Sequence, residues 1–161
     1  MNKKTKLLLG FLPMLAVCIV IFWFSSNVAE DSSEQSSVIV DHIKEDVFPE
    51  LGQMQTPQDQ KTVDDTLSHI VRKAAHFSVY TLLGICAFAA FWFIRKKTFR
   101  CLAAWGSAAL YAVSDEVHQH FVPGRSCEFK DVMIDSFGAL IGVGLCLAAV
   151  IIIASLRSKK K

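Results

Sequence analysis

Ionisable side chains recur at helical spacing in three apolar segments between residues 72 and 135. Residues three or four apart share one face of a helix, so each group forms a stripe. The stripes are Arg72, His76 and Tyr80; Asp115, His118 and Gln119, with Glu116 beside them; and Asp131 and Asp135. Imidazole and carboxylate groups together suit proton transfer or a divalent cation, whereas arginine suits a phosphate or carboxylate partner.

The candidate acid–base residues do not form an established catalytic motif. They are His76, Asp115, Glu116 and His118. The run Asp115-Glu116-Val117-His118 has the wrong order and spacing for an H-E-x-x-H zinc site, and the sequence contains neither G-x-S-x-G nor a P-loop. The sequence therefore leaves open whether the protein is an enzyme. We expect no cofactor, although these four side chains and Asp135 could bind a divalent cation.

The same charges also permit a purely structural explanation. A buried network of ion pairs can fix the register of packed helices without any chemistry. Four cations stand near the stripes, and four anions could neutralise them. The cations are Arg72, Lys73, Arg125 and Lys130, and the anions are Asp115, Glu116, Asp131 and Asp135.

The hydropathy of the chain predicts an all-α integral membrane bundle of four transmembrane helices in one domain, residues 1–161. Hydrophobic residues make up 52% of the sequence and the mean hydropathy is +0.38. A bilayer core requires about 20 apolar residues in a helix. Residues 7–24, 74–94, 99–121 and 132–156 meet this requirement, the third least clearly because Asp115, Glu116 and His118 interrupt it.

The distribution of Lys and Arg predicts the orientation of these spans. Basic clusters occur before the first span, between the second and third, and after the fourth, which places both termini in the cytoplasm. Residues 25–71 form the long outer segment, with ten acidic residues against Lys44 and Lys61. The polar stripes then meet at the extracytoplasmic end, where the turn Pro123-Gly124-Arg125 presents Arg125 at the membrane surface.

Local patterns add detail to this topology. Apolar residues at helical spacing predict an amphipathic helix over residues 36–51, followed by a break over residues 52–60 that contains Pro57. Thr62, with Asp65 three residues later, predicts the start of the second long helix. Gly138 and Gly142 are spaced to allow another helix to approach closely.

Several of these motifs resemble those of the VanZ-like family, and the resemblance covers nearly the whole chain. The matching segments are Phe24-Ser25-Ser26; Arg72-Lys73-Ala74-Ala75-His76-Phe77 with Tyr80 and Leu83-Gly84; Ser114-Asp115-Glu116-Val117-His118-Gln119 with Phe121-Val122-Pro123-Gly124-Arg125; and Asp131, Asp135 and Gly138 through Gly142. The resemblance implies the four-helix topology. The namesake of the family is associated with teicoplanin resistance in bacteria that build peptidoglycan outside the membrane.

Three classes of function fit these observations. The first is a multi-pass protein of the bacterial cell membrane that binds a lipid-linked cell-wall precursor or a lipoglycopeptide such as teicoplanin at the outer leaflet. The second is a membrane enzyme acting on a lipid or glycolipid headgroup, and the third is a small structural subunit. A net charge of +2 without a basic stripe excludes a nucleic-acid partner, so the lipid bilayer is the expected surrounding.

Overall fold

The computed structural model describes residues 3–27, 29–46, 56–125 and 127–159, and five α-helices account for most of them. The predicted all-α class is confirmed. The helices are α1 (Lys3–Ser25), α2 (Ala29–Asp46), α3 (Pro57–Ala90), α4 (Lys97–Gln119) and α5 (Phe129–Ser158), with a 3₁₀ turn at Phe91–Phe93. α1, α3, α4 and α5 pack together around a small core.

Three of the described helices are long and apolar enough to cross a membrane, against four predicted from the sequence. They cover Leu8–Ser25, Gln58–Phe93 and Phe129–Ser158. α4 is long enough but differs in composition, because it contains Arg100, Asp115 and Glu116. These three residues are buried inside the bundle, and the outward face of α4 presents apolar residues such as Leu110 and Val117.

The segment that joins α1 and α3 is more helical than the sequence predicts. The amphipathic helix begins at Ala29 and ends at Asp46, with Val40 buried; residues 47–51 of the predicted range lie outside the described residues. The predicted helix start at Thr62 is wrong, since α3 begins at Pro57 with Thr56 as its N-cap. Proline suits the first helical position because its missing N–H has no partner there.

The revised start of α3 changes two further details. The Thr62 hydroxyl lies inside the helix and donates to the carbonyl of Gln58 at 2.9 Å, so it caps nothing. The predicted break at residues 52–60 is wrong for residues 57–60, which are helical, while residues 52–55 lie outside the described part of the chain. A helix of 34 residues therefore leads into the site.

α3 and α5 run side by side in the same direction, in backbone contact through glycine. A Cβ on Gly138 would meet the backbone of Phe77, and one on Gly142 would meet that of Thr81. Gly84 of α3 likewise lies against the backbone of Ala139. The close approach predicted from the spacing of Gly138 and Gly142 is confirmed, and it fixes the register of the two helices.

Arg100 anchors the end of the bundle that lies opposite the polar stripes. Its guanidinium donates to the carbonyls of Trp92 and Ile94 at 3.0 and 2.7 Å, and it lies 4.2 Å from the centroid of the Trp92 ring. These carbonyls follow the end of α3, where the helix has no donors of its own. In the sequence, Arg100 belongs to the basic cluster between the second and third predicted spans. In the structure its side chain is buried.

Replacing Arg100 with glutamine is expected to destabilise the folded chain by about 1–3 kcal/mol, because carbonyls beyond α3 lose their donors. Thermal unfolding of the purified protein in detergent measures the effect. Arg95→Gln is the matched control, because Arg95 is an exposed basic residue of the same turn. Equal midpoints for the two variants would show that the contacts of Arg100 contribute nothing.

Candidate functional site

Four helices bring polar side chains to one buried point, defined here as the acid–histidine cluster. Its members are His76 of α3, Asp115 of α4 and Asp135 of α5, and one ligand atom from each lies within 4.8 Å of the others. The fourth helix, α1, contributes Ser25, whose hydroxyl donates a hydrogen bond to Asp115. The three stripes predicted from the sequence therefore do converge, as the parallel register of α3 and α5 requires.

Asp115 is held in place by two neutral donors. The Ser25 hydroxyl donates to Asp115 Oδ2 at 2.9 Å, and the Gln119 amide donates to the same oxygen at 3.2 Å. The second oxygen, Oδ1, makes no hydrogen bond with the described residues. Asp115 is 3% exposed, so this free oxygen lies inside the protein. The carboxylate is thus oriented on one side and open on the other.

His76, Asp135 and Tyr80 form the opposite side of the acid–histidine cluster. His76 Nδ1 lies 3.5 Å from Asp135 Oδ2, an ion-pair distance that is too long for a good hydrogen bond. Asp135 Oδ2 and the Tyr80 hydroxyl have no hydrogen-bond partner among the described residues, and both side chains are buried. Buried polar atoms without a hydrogen-bond partner are energetically costly, so these two atoms are candidates to contact a bound ligand or ion.

In the described part of the chain, the ion pairs of this region that involve a lysine lie at its rim. Lys73 Nζ lies 2.5 Å from Asp131 and 4.0 Å from Glu128. Glu116 is buried and accepts the backbone N–H of Glu128 at 2.9 Å. The purely structural explanation therefore fits Lys73 and Asp131, whereas Asp115 and Glu116 bond to neutral groups.

Arg125 points into the bundle from the turn between α4 and α5. Gly124 has a φ of 77°, a conformation that side chains disfavour, and this turn directs the next residue inward. The guanidinium donates to Gln119 Oε1 at 3.2 Å and to the carbonyls of Asn27 and Phe24 at 3.1 and 3.4 Å. Burial lowers the pKa of Arg125, and the nearby positive charge of Arg72 adds to this shift.

His118 is not brought to the acid–histidine cluster. Its ring stacks on Phe22 with centroids 4.5 Å apart, and Nε2 lies 3.2 Å from the Ser26 hydroxyl. It lines neither of the cavities described below. Sequence spacing alone groups His118 with Asp115 and Gln119, but α1 occupies the space beside this part of α4.

Two adjoining cavities open from this end of the bundle. The polar cavity has a volume of about 140 Å³ and includes Lys73, Glu116, Gln119, Asp131 and Asp135 in its lining. The apolar cleft has a volume of about 270 Å³ and is lined by residues that include Ile21, Ile39, Ala75, Val79 and Tyr80. Three residues line both: Arg72, His76 and Arg125.

Arg72 differs from the other cations near the two cavities. Lys73 pairs with Asp131, and Arg125 donates to an amide and two carbonyls. Arg72 is half-buried and makes no hydrogen bond or ion pair with the described residues. Its guanidinium is therefore available to an anion at the junction of the cavities.

The structure adds residues that the sequence did not single out. Ser25 orients Asp115, while His69 and Glu128 line the polar cavity. Serine is common at the end of an apolar helix, so the residue type of Ser25 does not indicate a functional role. The available signal for Ser25 was its place in the Phe24-Ser25-Ser26 segment that resembles the VanZ-like family.

Fold and composition together define an all-α membrane protein with a polar, partly buried site at one end of its bundle. The chain belongs to the VanZ/LLP1 family, whose model matches residues 11–153. This match includes every residue of the acid–histidine cluster and of both cavities. Neither the curated proteins nor the solved structures gave a match to this chain. The VanZ family is not known for a cofactor.

Proposed function

We propose that this protein binds an anionic amphiphile of the bacterial envelope, with the headgroup in the polar cavity and the alkyl chain in the apolar cleft. The observation that supports this most directly is that the two cavities share Arg72, His76 and Arg125. A ligand with one charged and one apolar end fits two such spaces joined by cations. Arginine pairs well with phosphate and carboxylate groups, which are the charged groups of such ligands.

The proposed setting is a multi-pass protein of the bacterial cell membrane with four spans and both termini in the cytoplasm. The outward face of α4 supports a fourth span, because Leu110, Val113 and Val117 are exposed. The charged residues within its length, Arg100, Asp115 and Glu116, are buried. Polar groups turned inward and apolar groups turned outward suit a lipid surrounding. The basic clusters then orient the site toward the outer leaflet.

Two ligands share the required chemistry. One is a lipid-linked cell-wall precursor, which has a pyrophosphate and a polyprenyl chain, and the other is a lipoglycopeptide such as teicoplanin, which has a carboxylate and an acyl chain. Membership of the VanZ/LLP1 family supports a role connected with glycopeptide resistance. Binding either ligand at the outer leaflet would alter how the antibiotic meets its target.

The binding test uses the full chain in lipid nanodiscs with each ligand as a separate probe. Ala75 lines the apolar cleft, so Ala75→Trp is expected to fill it and weaken binding at least tenfold, by the loss of several buried methylene groups worth about 0.8 kcal/mol each. Ala74→Trp is the matched control, because Ala74 is exposed and lines neither cavity. Equilibrium titration with fluorescent probes measures both.

The two probes separate the two sources of the ligand. Binding of the polyprenyl pyrophosphate lipid alone would identify a cell-wall precursor, and binding of teicoplanin alone would identify direct capture of the antibiotic. If neither probe binds, or if Ala75→Trp and Ala74→Trp bind equally well, the proposed function is wrong.

A further inference from the structure

The acid–histidine cluster lies at the wall of the polar cavity and is rich in negative charge, whereas the proposed anion site is formed by cations. Arg72 and Arg125 favour an anion, whereas Asp115 and Asp135 repel one and favour a cation. We propose that His76, Asp115 and Asp135 bind one divalent transition-metal cation, Zn²⁺ or Mn²⁺, in the floor of the polar cavity. This inference goes beyond the proposed function and does not depend on a lipid ligand.

The geometry of the free oxygen atoms supports a cation at this point. Asp115 Oδ1 and Asp135 Oδ2 are both without a hydrogen-bond partner among the described residues, and their side chains are 3% and 1% exposed. One oxygen of each carboxylate and one nitrogen of His76 lie within 4.8 Å of one another. Ligand atoms lie about 2.0–2.2 Å from Zn²⁺, so a modest inward rotation of the side chains closes this set on one ion.

The charge balance of the cluster points the same way. Two buried carboxylates bring two negative charges, and a protonated His76 would compensate for only one of them. In the parts of the chain that the structure describes, neither carboxylate has a hydrogen bond or ion pair with Lys or Arg. An uncompensated buried charge is strongly unfavourable. A divalent cation with neutral His76 removes the imbalance completely.

The ligand types narrow the choice of metal. An imidazole with two carboxylates suits Zn²⁺ or Mn²⁺ better than Ca²⁺, which prefers oxygen ligands alone, or Cu⁺, which prefers sulfur. The hydrogen bonds from Ser25 and Gln119 to Asp115 Oδ2 orient the carboxylate so that Oδ1 remains free. Metal sites typically hold their ligands through outer contacts of this kind.

The cluster also has a route of entry and space for a further ligand. His76 and Asp135 line the polar cavity, so an ion can reach them from the open end of the bundle. The Tyr80 hydroxyl is one helical turn from His76 and also has no hydrogen-bond partner among the described residues. It can donate to a water molecule that completes the coordination of the ion.

The experiment measures metal binding by the full-length protein in detergent after treatment with EDTA. Titration with Zn²⁺ alone and with Mn²⁺ alone is expected to give one ion per chain, retained after desalting and counted by elemental analysis. Asp115→Asn, Asp135→Asn and His76→Ala are each expected to weaken binding at least tenfold. Asp65→Asn and His120→Ala replace exposed residues of the same types and are expected to bind like the native protein.

A spectroscopic measurement on the native chain guards against variants that fail to fold. Mn²⁺ bound at this site is expected to show magnetic coupling to a single imidazole nitrogen, and metal binding is expected to raise the thermal midpoint. The absence of stoichiometric binding, the absence of nitrogen coupling, or equal binding by the cluster variants and the two controls would each overturn the proposal.

Discussion

Replacing Arg72 with glutamine is expected to weaken binding of the anionic amphiphile about 10- to 100-fold, because hydrogen bonds to charged groups contribute about 1.5–3 kcal/mol. Arg72 lines both cavities and has no hydrogen bond or ion pair with the described residues, so replacing it with glutamine breaks no polar contact among them. The thermal midpoint of the free protein should therefore stay unchanged. Titration of the nanodisc-embedded chain measures the affinity.

Two further substitutions identify the origin of this effect. Lys130→Gln removes the same charge from an exposed position near the site that lines neither cavity, so it is expected to change affinity less than twofold. Arg72→Lys keeps the charge but loses the paired donors, and we expect intermediate affinity. If Lys130→Gln weakens binding as much as Arg72→Gln, a diffuse field attracts the ligand, and a direct contact with Arg72 is excluded.

Arg125 would be a less informative choice, although it lines the same two cavities. Its guanidinium connects α1 and α4 through the carbonyls of Asn27 and Phe24 and the amide of Gln119. Removing it would release Gln119, which in turn positions Asp115. A loss of ligand binding in such a variant could not be separated from a displaced α1.

Much of the fold can be predicted from the sequence because a membrane span has a simple requirement, a long apolar helix. α1, α3 and α5 satisfy it, and the spacing of Gly138 and Gly142 correctly predicts a close helix contact. α4 is harder to classify because average hydropathy ignores direction. Arg100, Asp115 and Glu116 face the bundle, and only the packed structure shows that the outward face of α4 is apolar.

Helix periodicity predicts which site residues share a face of one helix, but not how the residues of different helices meet. Spacing within one helix correctly gathers His76 with Tyr80, but it cannot show which residues of another helix lie opposite. His118 therefore falls beside Phe22 and outside the acid–histidine cluster, and Ser25 enters from a helix that has no ionisable residue near its end. The inward direction of Arg125 depends on the backbone of Gly124, whose φ no composition rule supplies.

Replacing Gly142 with alanine is expected to have the largest effect on stability, about 1–3 kcal/mol or more. The added Cβ would collide with the Thr81 carbonyl and would lie 3.1 Å from the backbone nitrogen of Ile85. These atoms belong to a packed helix and cannot move away as a flexible side chain would, so α3 and α5 must separate. Thermal unfolding in detergent and the yield of folded protein measure the loss.

Gly144→Ala is the matched control, two residues along the same helix, because a Cβ there meets nothing within 4 Å. It is expected to be neutral or to stabilise the chain by up to about 1 kcal/mol, since alanine favours a helix more than glycine does. The same α3–α5 contact sets His76 beside Asp135, so Gly142→Ala should also weaken Zn²⁺ binding without changing any ligand. Unaltered stability and metal binding in Gly142→Ala would mean that this backbone contact does not hold the site together.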